Sequence, residues 1–301
     1  MTTMSESDRE QWLSDRRRGI GGSDAAPIVG ISPWATALEV YGDKTGTLPP
    51  RQATRSMAWG LKLEEAIATA YSEETGRALE APPRMLRHPE RPWMLASIDR
   101  LSTDGRIVEL KTASPYYVSE WGPAGTDQVP EYYLLQIAHY MEVADIGVAD
   151  VAVLIGGNDF RIYTVERNQR LIDNLVEIEA AFWERVLTRR PPEPDWRHAS
   201  TLELMQNLYG LDAEKTINMT DAGCLLVDGY ERLGAAKREI DADRDALKAQ
   251  ILGLLAGASV GVLPDGRQIT RKQVTRKEYT VPECTYMDMM IKQAKREKVK
   301  S

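Results

Sequence analysis

The spacing of apolar residues along the chain predicts a mixture of helices and strands. Apolar positions recur at helical intervals in residues 5–18, 36–45, 57–75, 131–144, 168–188 and 220–255. Shorter β-branched and apolar runs at residues 93–101, 106–112, 148–155 and 160–165 are typical of strands. This combination of helices and strands predicts an α/β fold.

Turn residues indicate how two pairs of strands are connected. Thr103-Asp104-Gly105 separates the first pair, and Gly156-Gly157-Asn158-Asp159 separates the second. Glycine supplies the positive φ that tight hairpin turns need, so each pair is predicted to be antiparallel. A glycine-rich turn, Gly19 to Asp24, precedes a short apolar stretch that ends at Ile31.

A proline cluster, Pro191-Pro192-Glu193-Pro194, predicts a boundary. We expect one domain over residues 1–198 and a C-terminal extension over residues 199–301. The extension combines charged helices, a β-hairpin turning at Pro264-Asp265-Gly266, and a basic helix or frayed tail over residues 286–300. From Gly266 onward, ten Lys and Arg oppose four Asp and Glu, so this region could hold duplex DNA, or be merely a solvated tail.

Composition limits the class of protein. The 301 residues are 43% hydrophobic and 28% charged, without an apolar run long enough to span a bilayer. The two cysteines, Cys224 and Cys284, have no metal-binding spacing, which excludes a cysteine-held zinc or iron–sulfur site. A cytoplasmic location is expected. The net charge of −7 does not support nonspecific coating of nucleic acid, but it leaves room for a nuclease.

Two acidic residues and a lysine form the most informative pattern. Asp99 precedes Glu109-Leu110-Lys111 by one predicted hairpin. Side chains alternate along a strand, so Glu109 and Lys111 share a face while Leu110 points to the core. Two carboxylates beside an ammonium suit a Mg²⁺ ion that assists phosphodiester hydrolysis. The alternative is a solvent-exposed strand edge that carries a Glu and a Lys by chance.

Further blocks of sequence resemble the YqaJ-type viral recombinases, relatives of phage lambda exonuclease within the PD-(D/E)XK nuclease superfamily. The resemblance implies a PD-(D/E)XK, restriction-endonuclease-like core with a central mixed β-sheet flanked by helices. It covers roughly residues 9–190 and departs from the superfamily name at Ile98, where proline is implied. The blocks are Arg16 to Ala26, Gly30 to Trp34, Trp59-Gly60 with Glu64, Asp99 with Glu109-Leu110-Lys111, and Tyr133, Gln136 and Tyr140 before Ala152-Val153-Leu154.

The resemblance implies a role for each residue of the acidic site. Asp99 and Glu109 would ligate Mg²⁺ with the Leu110 carbonyl, and Mn²⁺ is expected to substitute. Lys111 would position or activate the attacking water and offset charge in the transition state. Glu64 would face the metal from its helix, or be an exposed carboxylate. Gln136 would orient the water or Lys111, or be a surface amide.

It also implies a site for the 5′-phosphate of a DNA end. Arg17 is the first candidate, with Arg16 in reserve because the register is ambiguous by one residue. Alternatively, the arginines could lie at a helix end, where they interact with its negative pole, without binding phosphate. Ser23 would donate to the phosphate or simply cap a helix. Trp34 and Trp59 are expected in the core rather than as surfaces on which bases stack.

The implied activity is Mg²⁺-dependent 5′–3′ exonuclease action on linear double-stranded DNA. The 3′ overhang would pass to a single-strand annealing protein during phage-type recombination, in a bacterial host cell. Relatives form rings around the duplex, which implies a homo-oligomer. The alternatives are a PD-(D/E)XK endonuclease and a catalytically silent DNA-binding protein of the same fold.

Overall fold

The structure is a computed structural model, and it describes residues 14–48, 54–83, 85–209, 214–275 and 291. The chain divides into two compact units, Met1–Gly210 and Leu211–Ser301, which are treated separately below. Most of the expected helix at residues 5–18 and all but Ile291 of the expected tail at residues 286–300 lie outside the described residues.

The first unit contains both helices and strands, which are grouped along the chain rather than strictly alternating. Its helices are α1 (Gly22–Val29), α2 (Ala37–Thr45), α3 (Arg55–Thr75), α4 (Glu131–Ala144), α5 (Gln169–Leu187) and α6 (Thr201–Leu208), with a 3₁₀ helix at Pro115–Glu120. Its strands are β1 (Ile20–Gly21), β2 (Leu79–Glu80), β3 (Leu86–Arg87), β4 (Met94–Ala96), β5 (Arg100–Ser102), β6 (Ile107–Ala113), β7 (Val148–Ile155) and β8 (Asp159–Glu166).

A five-stranded mixed sheet forms the centre of this unit. Its strand order is β2-β5-β6-β7-β8. Strands β6 and β7 run parallel, with Glu109 beside Val151, whereas the β5–β6 and β7–β8 pairs are antiparallel. Gly105 has a φ of +86° in the turn before β6, as the hairpin prediction requires. The predicted mixed sheet and both hairpins are therefore confirmed.

The predicted strand at residues 93–101 is wrong as a single element. It divides into β4, which pairs with β1 and β3 in a separate three-stranded sheet, and β5 in the central sheet. Residues 97–99 connect the two. The Asp99 side chain accepts a hydrogen bond from the Leu110 backbone N–H, so the side chain, not the backbone, joins residue 99 to β6.

Helices cover both faces of the central sheet. Ile67, Ala68 and Tyr71 of α3 pack on the face formed by Val108 and Leu110. The opposite face packs against α4 and α5 through a larger core. That larger core includes Ile107, Val151 and Val153 from the sheet, Ile137 and Met141 from α4, and Ile172 and Leu175 from α5. This arrangement confirms the expected sheet flanked by helices.

Capping residues fix several helix ends where the sequence predicts them. Thr36 begins α2 in a capping box with Glu39, and Gly46 ends it with a φ of +70°. Asn168 caps α5 through a bond from the Leu171 N–H. By contrast, α1 was expected as a turn followed by an apolar stretch, and α6 was not expected.

Helix α6 extends the first unit beyond the boundary expected at residue 198. Leu204 of α6 is almost fully buried with Phe182 and Val186 of α5, and with residues of α2. Ser200 donates a hydrogen bond to Glu39 over 2.7 Å. The compact unit therefore continues to Gly210, because these contacts attach α6 to the same core.

The second unit contains a long helix and a hairpin. Helix α7 (Asp221–Leu255) corresponds to the charged helix predicted for residues 220–255. Strands β9 (Val260–Val262) and β10 (Gln268–Thr270) pair antiparallel across the Pro264-Asp265-Gly266 turn, as expected. Across the described residues, every helix is too short or too polar to traverse a lipid bilayer.

Candidate active site on strand β6

Strand β6 presents Glu109 and Lys111 on one face and Leu110 on the other. Leu110 is buried against α3, as its predicted orientation requires. Glu109 and Lys111 lie on the face covered by α4, and the Lys111 Nζ is 2.5 Å from the Glu109 Oε1. The alternation of side chains along β6 therefore places Leu110 in the core and Glu109 and Lys111 together on the opposite face.

Asp99 joins this pair from the connection between β4 and β5. Its Oδ2 accepts a hydrogen bond from the Leu110 N–H over 2.9 Å. Because β5 pairs Arg100 with Val108, the preceding residue lies beside Glu109. Asp99, Glu109 and Lys111 therefore occupy one small region, which is the convergence that the sequence predicts.

Helix α4 adds Gln136 to the hydrogen bonds of Glu109 and Lys111. The Gln136 Nε2 donates to the Glu109 Oε1 over 2.6 Å, and the Gln136 Oε1 accepts from the Lys111 Nζ over 3.3 Å. The same Nε2 donates to the Tyr140 hydroxyl over 3.1 Å. Gln136 is thus a buried part of the cluster, and the surface-amide alternative is wrong.

Burial and mutual repulsion raise the pKa values of the carboxyl groups. Burial, then the charge of Asp99, raises the pKa of Glu109 to about 7. Burial also raises the pKa of Asp99. On α3, Glu64 is partly buried, and this burial, followed by the charge of Asp99, raises its pKa to about 6. Carboxyl groups whose pKa values are raised by burial and by one another's charge are stabilised by a bound cation.

The pKa of Lys111 moves in the direction that retains its charge. Burial alone lowers this pKa, but the charges of Glu109 and Asp99 outweigh burial and raise it above its usual range. The ammonium also lies 4.9 Å from the centre of the Tyr133 ring. The neighbouring carboxylates therefore favour the charged ammonium form of Lys111.

An orphaned oxygen gives the test of whether a divalent ion fits. Glu109 Oε2 is buried and has no hydrogen-bond partner among the described residues. Burying a carboxylate oxygen destabilises the folded state unless a hydrogen-bond donor or a metal ion contacts it. The described residues contain no ready cluster of three or more His, Cys, Asp or Glu. Mg²⁺ commonly uses one or two carboxylates and several waters, so the Asp99–Glu109 pair with the Leu110 carbonyl fits it.

A second polar cluster forms where α1 begins. The Arg16 Nη2 donates to the Ser23 Oγ over 2.9 Å and to the Asp24 Oδ1 over 3.0 Å. The fully buried Lys44 Nζ lies 2.6 Å from the other Asp24 oxygen. The structure therefore brings Arg16 to Ser23, whereas Arg17 pairs with Asp43 over 3.4 Å.

Tyr140 connects the two clusters. Its hydroxyl receives the Gln136 hydrogen bond, and its ring packs against Gly22 at the start of α1. A Cβ at Gly22 would lie 2.5 Å from the Tyr140 ring, so the absence of a side chain there permits α1 to approach α4. This close approach is one physical reason for the glycine-rich segment.

Asp24 and Lys44 were not singled out in the sequence. Asp24 lies inside the quoted Arg16–Ala26 block, and its type alone gave no sign that it would be buried. Lys44 sits in the last turn of α2, where a basic residue normally favours the helix terminus. Only the tertiary contact with Asp24 distinguishes Lys44 from a surface lysine.

The expectation that Trp34 and Trp59 lie in the core is wrong. Their side chains are 45% and 53% exposed. Trp34 contacts the edges of the α4 aromatic residues, with its ring centre 4.8 Å from that of Tyr132 and 6.0 Å from that of Tyr133. Trp59 lies near the start of α3, where the buried positions have not yet begun, and the Lys62 ammonium lies 5.1 Å from its ring.

Comparison with solved structures gives distant similarities. An alkaline exonuclease, LHK-Exo, from Laribacter hongkongensis is 16% identical, with a TM-score of 0.48 over 65% of this chain and 99% of that one. A phage related exonuclease from Haemophilus somnus 129PT is 17% identical, with a TM-score of 0.43 over 56% of this chain and 93% of that one.

Comparison with protein families and curated proteins gives a closer relationship. The family model for the YqaJ-like viral recombinase domain matches residues 11–147, a segment that includes Arg16, Ser23, Asp99, Lys111 and Gln136. The uncharacterized protein YqaJ of Bacillus subtilis (strain 168) is 33% identical over 264 residues, covering 86% of this chain and 82% of that protein. The chain that joins Asp99, Glu109 and Lys111 in this way therefore belongs to the YqaJ family of viral recombinase proteins.

Proposed function

We propose that the protein is a Mg²⁺-dependent nuclease that degrades linear double-stranded DNA from the 5′ end. The observation that carries the proposal is the convergence of Asp99, Glu109 and Lys111, with one buried Glu109 oxygen lacking a partner. The family description, a viral recombinase, agrees with an enzyme that prepares DNA ends.

Each residue of the cluster has a distinct task in this proposal. Asp99 and Glu109, with the Leu110 carbonyl, hold a Mg²⁺ ion, for which Mn²⁺ can substitute. The ion supplies Lewis-acid activation of a water and of the scissile phosphate. Lys111 offsets negative charge as the phosphate becomes five-coordinate. Gln136 orients both Lys111 and Glu109 through its amide.

The polarity of cleavage rests on the Arg16–Ser23 cluster. Arg16 Nη2 and Ser23 Oγ are 2.9 Å apart, so one phosphate could contact both groups. We therefore assign the 5′-phosphate to Arg16 and Ser23 rather than to Arg17, which faces Asp43. Exposed aromatic residues such as Trp34 suit a substrate with flat bases, because stacking on aromatic rings needs no particular sequence.

The first experiment tests the metal and the lysine. Linear duplex is digested with Mg²⁺ or with EDTA, by the unmodified protein and by Lys111→Ala. We expect EDTA to abolish digestion and Lys111→Ala to lower kcat by about 10²-fold or more, as for removal of a transition-state donor. Lys237→Ala, an exposed lysine of the second unit, is the matched control and should be unaffected. Digestion that withstands both changes excludes the mechanism.

The second experiment tests the end that is recognised. Duplexes with a 5′-phosphate or a 5′-hydroxyl are compared with Arg16→Ala and with Arg17→Ala. The preference for phosphate should disappear in Arg16→Ala and persist in Arg17→Ala. Equal preference in both variants, or its loss only in Arg17→Ala, would contradict the assignment.

Closed circular DNA separates the proposal from its alternatives. An enzyme that needs an end leaves the circle intact, whereas an endonuclease of the same fold opens it. A catalytically silent protein would bind linear DNA and cut neither substrate. The proposed product is a 3′ overhang for a single-strand annealing protein, so the strand that remains should be annealed by such a partner.

A further inference from the structure

Helix α4 presents three polar side chains on one face, because residues three and four positions apart lie together on a helix. Gln136 contacts the acidic site, and Tyr140 packs against α1. His139 is turned toward strand β4, the strand that precedes Asp99 in the chain. The proposed mechanism gives a task to Gln136 and leaves His139 without one.

His139 joins the backbone of β4 to helix α5. Its Nε2 lies 2.9 Å from the Leu95 carbonyl oxygen, which can only accept a hydrogen bond, so the ring nitrogen donates. Its Nδ1 lies 2.9 Å from both carboxylate oxygens of Glu179. Glu179 therefore orients the ring, and the other side of the ring holds β4 in place beside α4.

Stability alone gives little reason to bury these two ionisable groups. His139 is 1% exposed and Glu179 is 0% exposed. Removing two charged groups from water opposes folding, and an apolar pair of similar volume is often as stable or more so. A fully bonded buried polar group can instead select one arrangement of the backbone around it. Here the selected arrangement is the position of β4 relative to α4.

Asp99 lies at the end of the connection that follows β4. Its carboxylate reaches β6 through the hydrogen bond from the Leu110 N–H. Between Leu95 and Asp99, the side chains of Ala96 and Ile98 are buried, at 0% and 7% exposed. Close-packed interiors transmit displacements, so a shift of the β4 backbone moves this connection and the carboxylate with it.

We propose that His139 is a positioning residue for the acidic site, and that it sets the place of the Asp99 carboxylate through the Leu95 carbonyl. Helix α4 then aligns both proposed metal ligands, Glu109 directly through Gln136 and Asp99 through His139 and β4. His139 itself touches neither the metal nor the DNA. The inference rests on the proposed function, because it concerns a carboxylate that would hold Mg²⁺.

Two single substitutions separate the contacts of His139. The amide nitrogen of asparagine takes the place of Nδ1, so His139→Asn keeps the bond to Glu179 and loses the bond to Leu95. The amide nitrogen of glutamine reaches the place of Nε2, so His139→Gln does the reverse. Breaking the buried charged pair is the more destabilising change, so His139→Gln should have the lower Tm. If stability were the whole role, His139→Gln would also disturb the acidic site more.

Hydrogen exchange of the Leu110 amide, measured by NMR, reports on the Asp99 carboxylate that accepts its bond. In His139→Asn, this amide should exchange at least tenfold faster relative to that of Ala152, its fully buried neighbour on β7. In His139→Gln, the ratio of the two rates should change less than threefold. Equal ratios in the two variants, or a larger change in His139→Gln, overturn the proposal.

A second variant protects this test against misfolding of His139→Asn. His139→Leu with Glu179→Leu removes both contacts of the ring without leaving an unpaired buried charge. The ratio of the Leu110 and Ala152 exchange rates should again rise at least tenfold. A ratio equal to that of the unmodified protein contradicts the positioning role.

Binding of Mn²⁺, followed by isothermal titration calorimetry, extends the test to the metal without an activity assay. His139→Asn should raise the Kd at least tenfold and His139→Gln less than threefold, while Asp99→Ala should abolish binding. If Asp99→Ala abolishes binding and the two His139 variants bind equally, the positioning role is overturned and the metal site stands. If the unmodified protein binds no Mn²⁺, the proposed function fails, and the exchange of the Leu110 amide alone decides the role of His139.

Discussion

The Asp24–Lys44 pair shows how a buried charge can organise a neighbouring functional residue. Burial alone raises the pKa of Asp24, but Lys44 and Arg16 outweigh it and hold this pKa well below its usual range. Lys44 also donates to the Arg16 carbonyl over 3.1 Å. The orientation of Arg16 beside Ser23 thus rests on a lysine that itself touches no substrate in the proposed reaction.

Replacing Lys44 should therefore destabilise the folded protein. In Lys44→Met, Asp24 keeps only the partly exposed Arg16 as a charged partner, and we expect a loss of about 3 kcal/mol in the free energy of unfolding. Arg17→Met breaks the more exposed pair with Asp43 and should cost less than about 1 kcal/mol. Urea denaturation measures both. Similar losses for the two variants would show that burial does not determine how much each ion pair contributes to stability.

A buried His139 should make stability depend on pH. Its Nδ1 lies 2.9 Å from both Glu179 oxygens and its Nε2 lies 2.9 Å from the Leu95 carbonyl, so both nitrogens face acceptors. Burial lowers the pKa of His139, but Glu179 outweighs this effect and raises it above 6.5. The charged form is therefore favoured in the folded state.

The sign of the effect follows from that raised pKa. The stabilisation is complete below the unfolded-state value, about pH 6.5, and disappears as the pH rises through the higher folded-state pKa. Denaturant unfolding at about pH 6 and about pH 9 should show this fall in the unmodified protein and in His198→Gln. In His139→Gln the fall should be smaller. An unchanged pH dependence in His139→Gln would show that His139 is neutral.

At the scale of elements, the close packing of α1 on α4 determines where Gln136 and Tyr140 lie. A Cβ at Gly22 would approach the Tyr140 ring to 2.5 Å and the Gln136 carbonyl oxygen to 3.0 Å. The nearest atom to a Cβ at Gly21 would be 3.7 Å away. A side chain at position 22 would therefore clash with α4, whereas position 21 has room for one.

Gly22→Ala should separate the two helices, whereas Gly21→Ala should not. Overpacking of this kind costs about 1–3 kcal/mol, and the displaced Gln136 should also lower nuclease activity. We expect Gly21→Ala to cost less than about 1 kcal/mol and to leave activity unchanged. Thermal denaturation and the linear-duplex assay, run in parallel, compare the variants. If the two behave alike, contact with Tyr140 is not the reason for the glycine.

Sequence patterns predicted the elements whose ends are marked by local chemistry. Thr36 and Gly46 define α2, and the alternation around Leu110 correctly oriented β6. The patterns could not find the division at residues 97–99, because an apolar run reads the same whether one sheet or two receive it. They missed α1 for a similar reason: its glycines predict a turn unless the contact with Tyr140 is known.

In the candidate site too, local patterns predicted some residues, whereas tertiary contacts decided the others. Strand alternation and one hairpin predicted that Asp99, Glu109 and Lys111 lie together, and the family resemblance favoured a metal site over a chance strand edge. The choice between Arg16 and Arg17 depended on Asp24 and Asp43, which lie on different helices. The exposure of Trp34 and Trp59 depended on where each helix meets the core, and residue type alone does not specify that.

At the scale of the whole molecule, the first unit should be able to fold without the second. It holds the central sheet, the acidic site and the Arg16 cluster within Met1–Gly210. Helix α6 belongs to it, since Leu204 is 3% exposed in the core that α2 and α5 form.

Two truncated chains test this boundary. A chain ending at Gly210 should unfold cooperatively and retain Mg²⁺-dependent digestion of linear DNA. A chain ending at residue 198 loses the burial of Leu204 and should be less stable by about 2–5 kcal/mol, with a correspondingly lower Tm. Calorimetry of the two chains gives the comparison. Equal Tm values would show that the first folded unit ends at residue 198.

The junction at Asp99 lies between two sheets of unequal size. On one side is β4, paired with strands of two residues each, and on the other is the five-stranded sheet. Burial rather than strand length holds β4 in place, because Met94, Leu95 and Ala96 are each at most 2% exposed. The connection at Asp99 should therefore open only when the core around β4 unfolds. Loss of DNA digestion on warming should coincide with the circular dichroism transition, and loss several degrees earlier would show that the two carboxylates separate while the core is still folded.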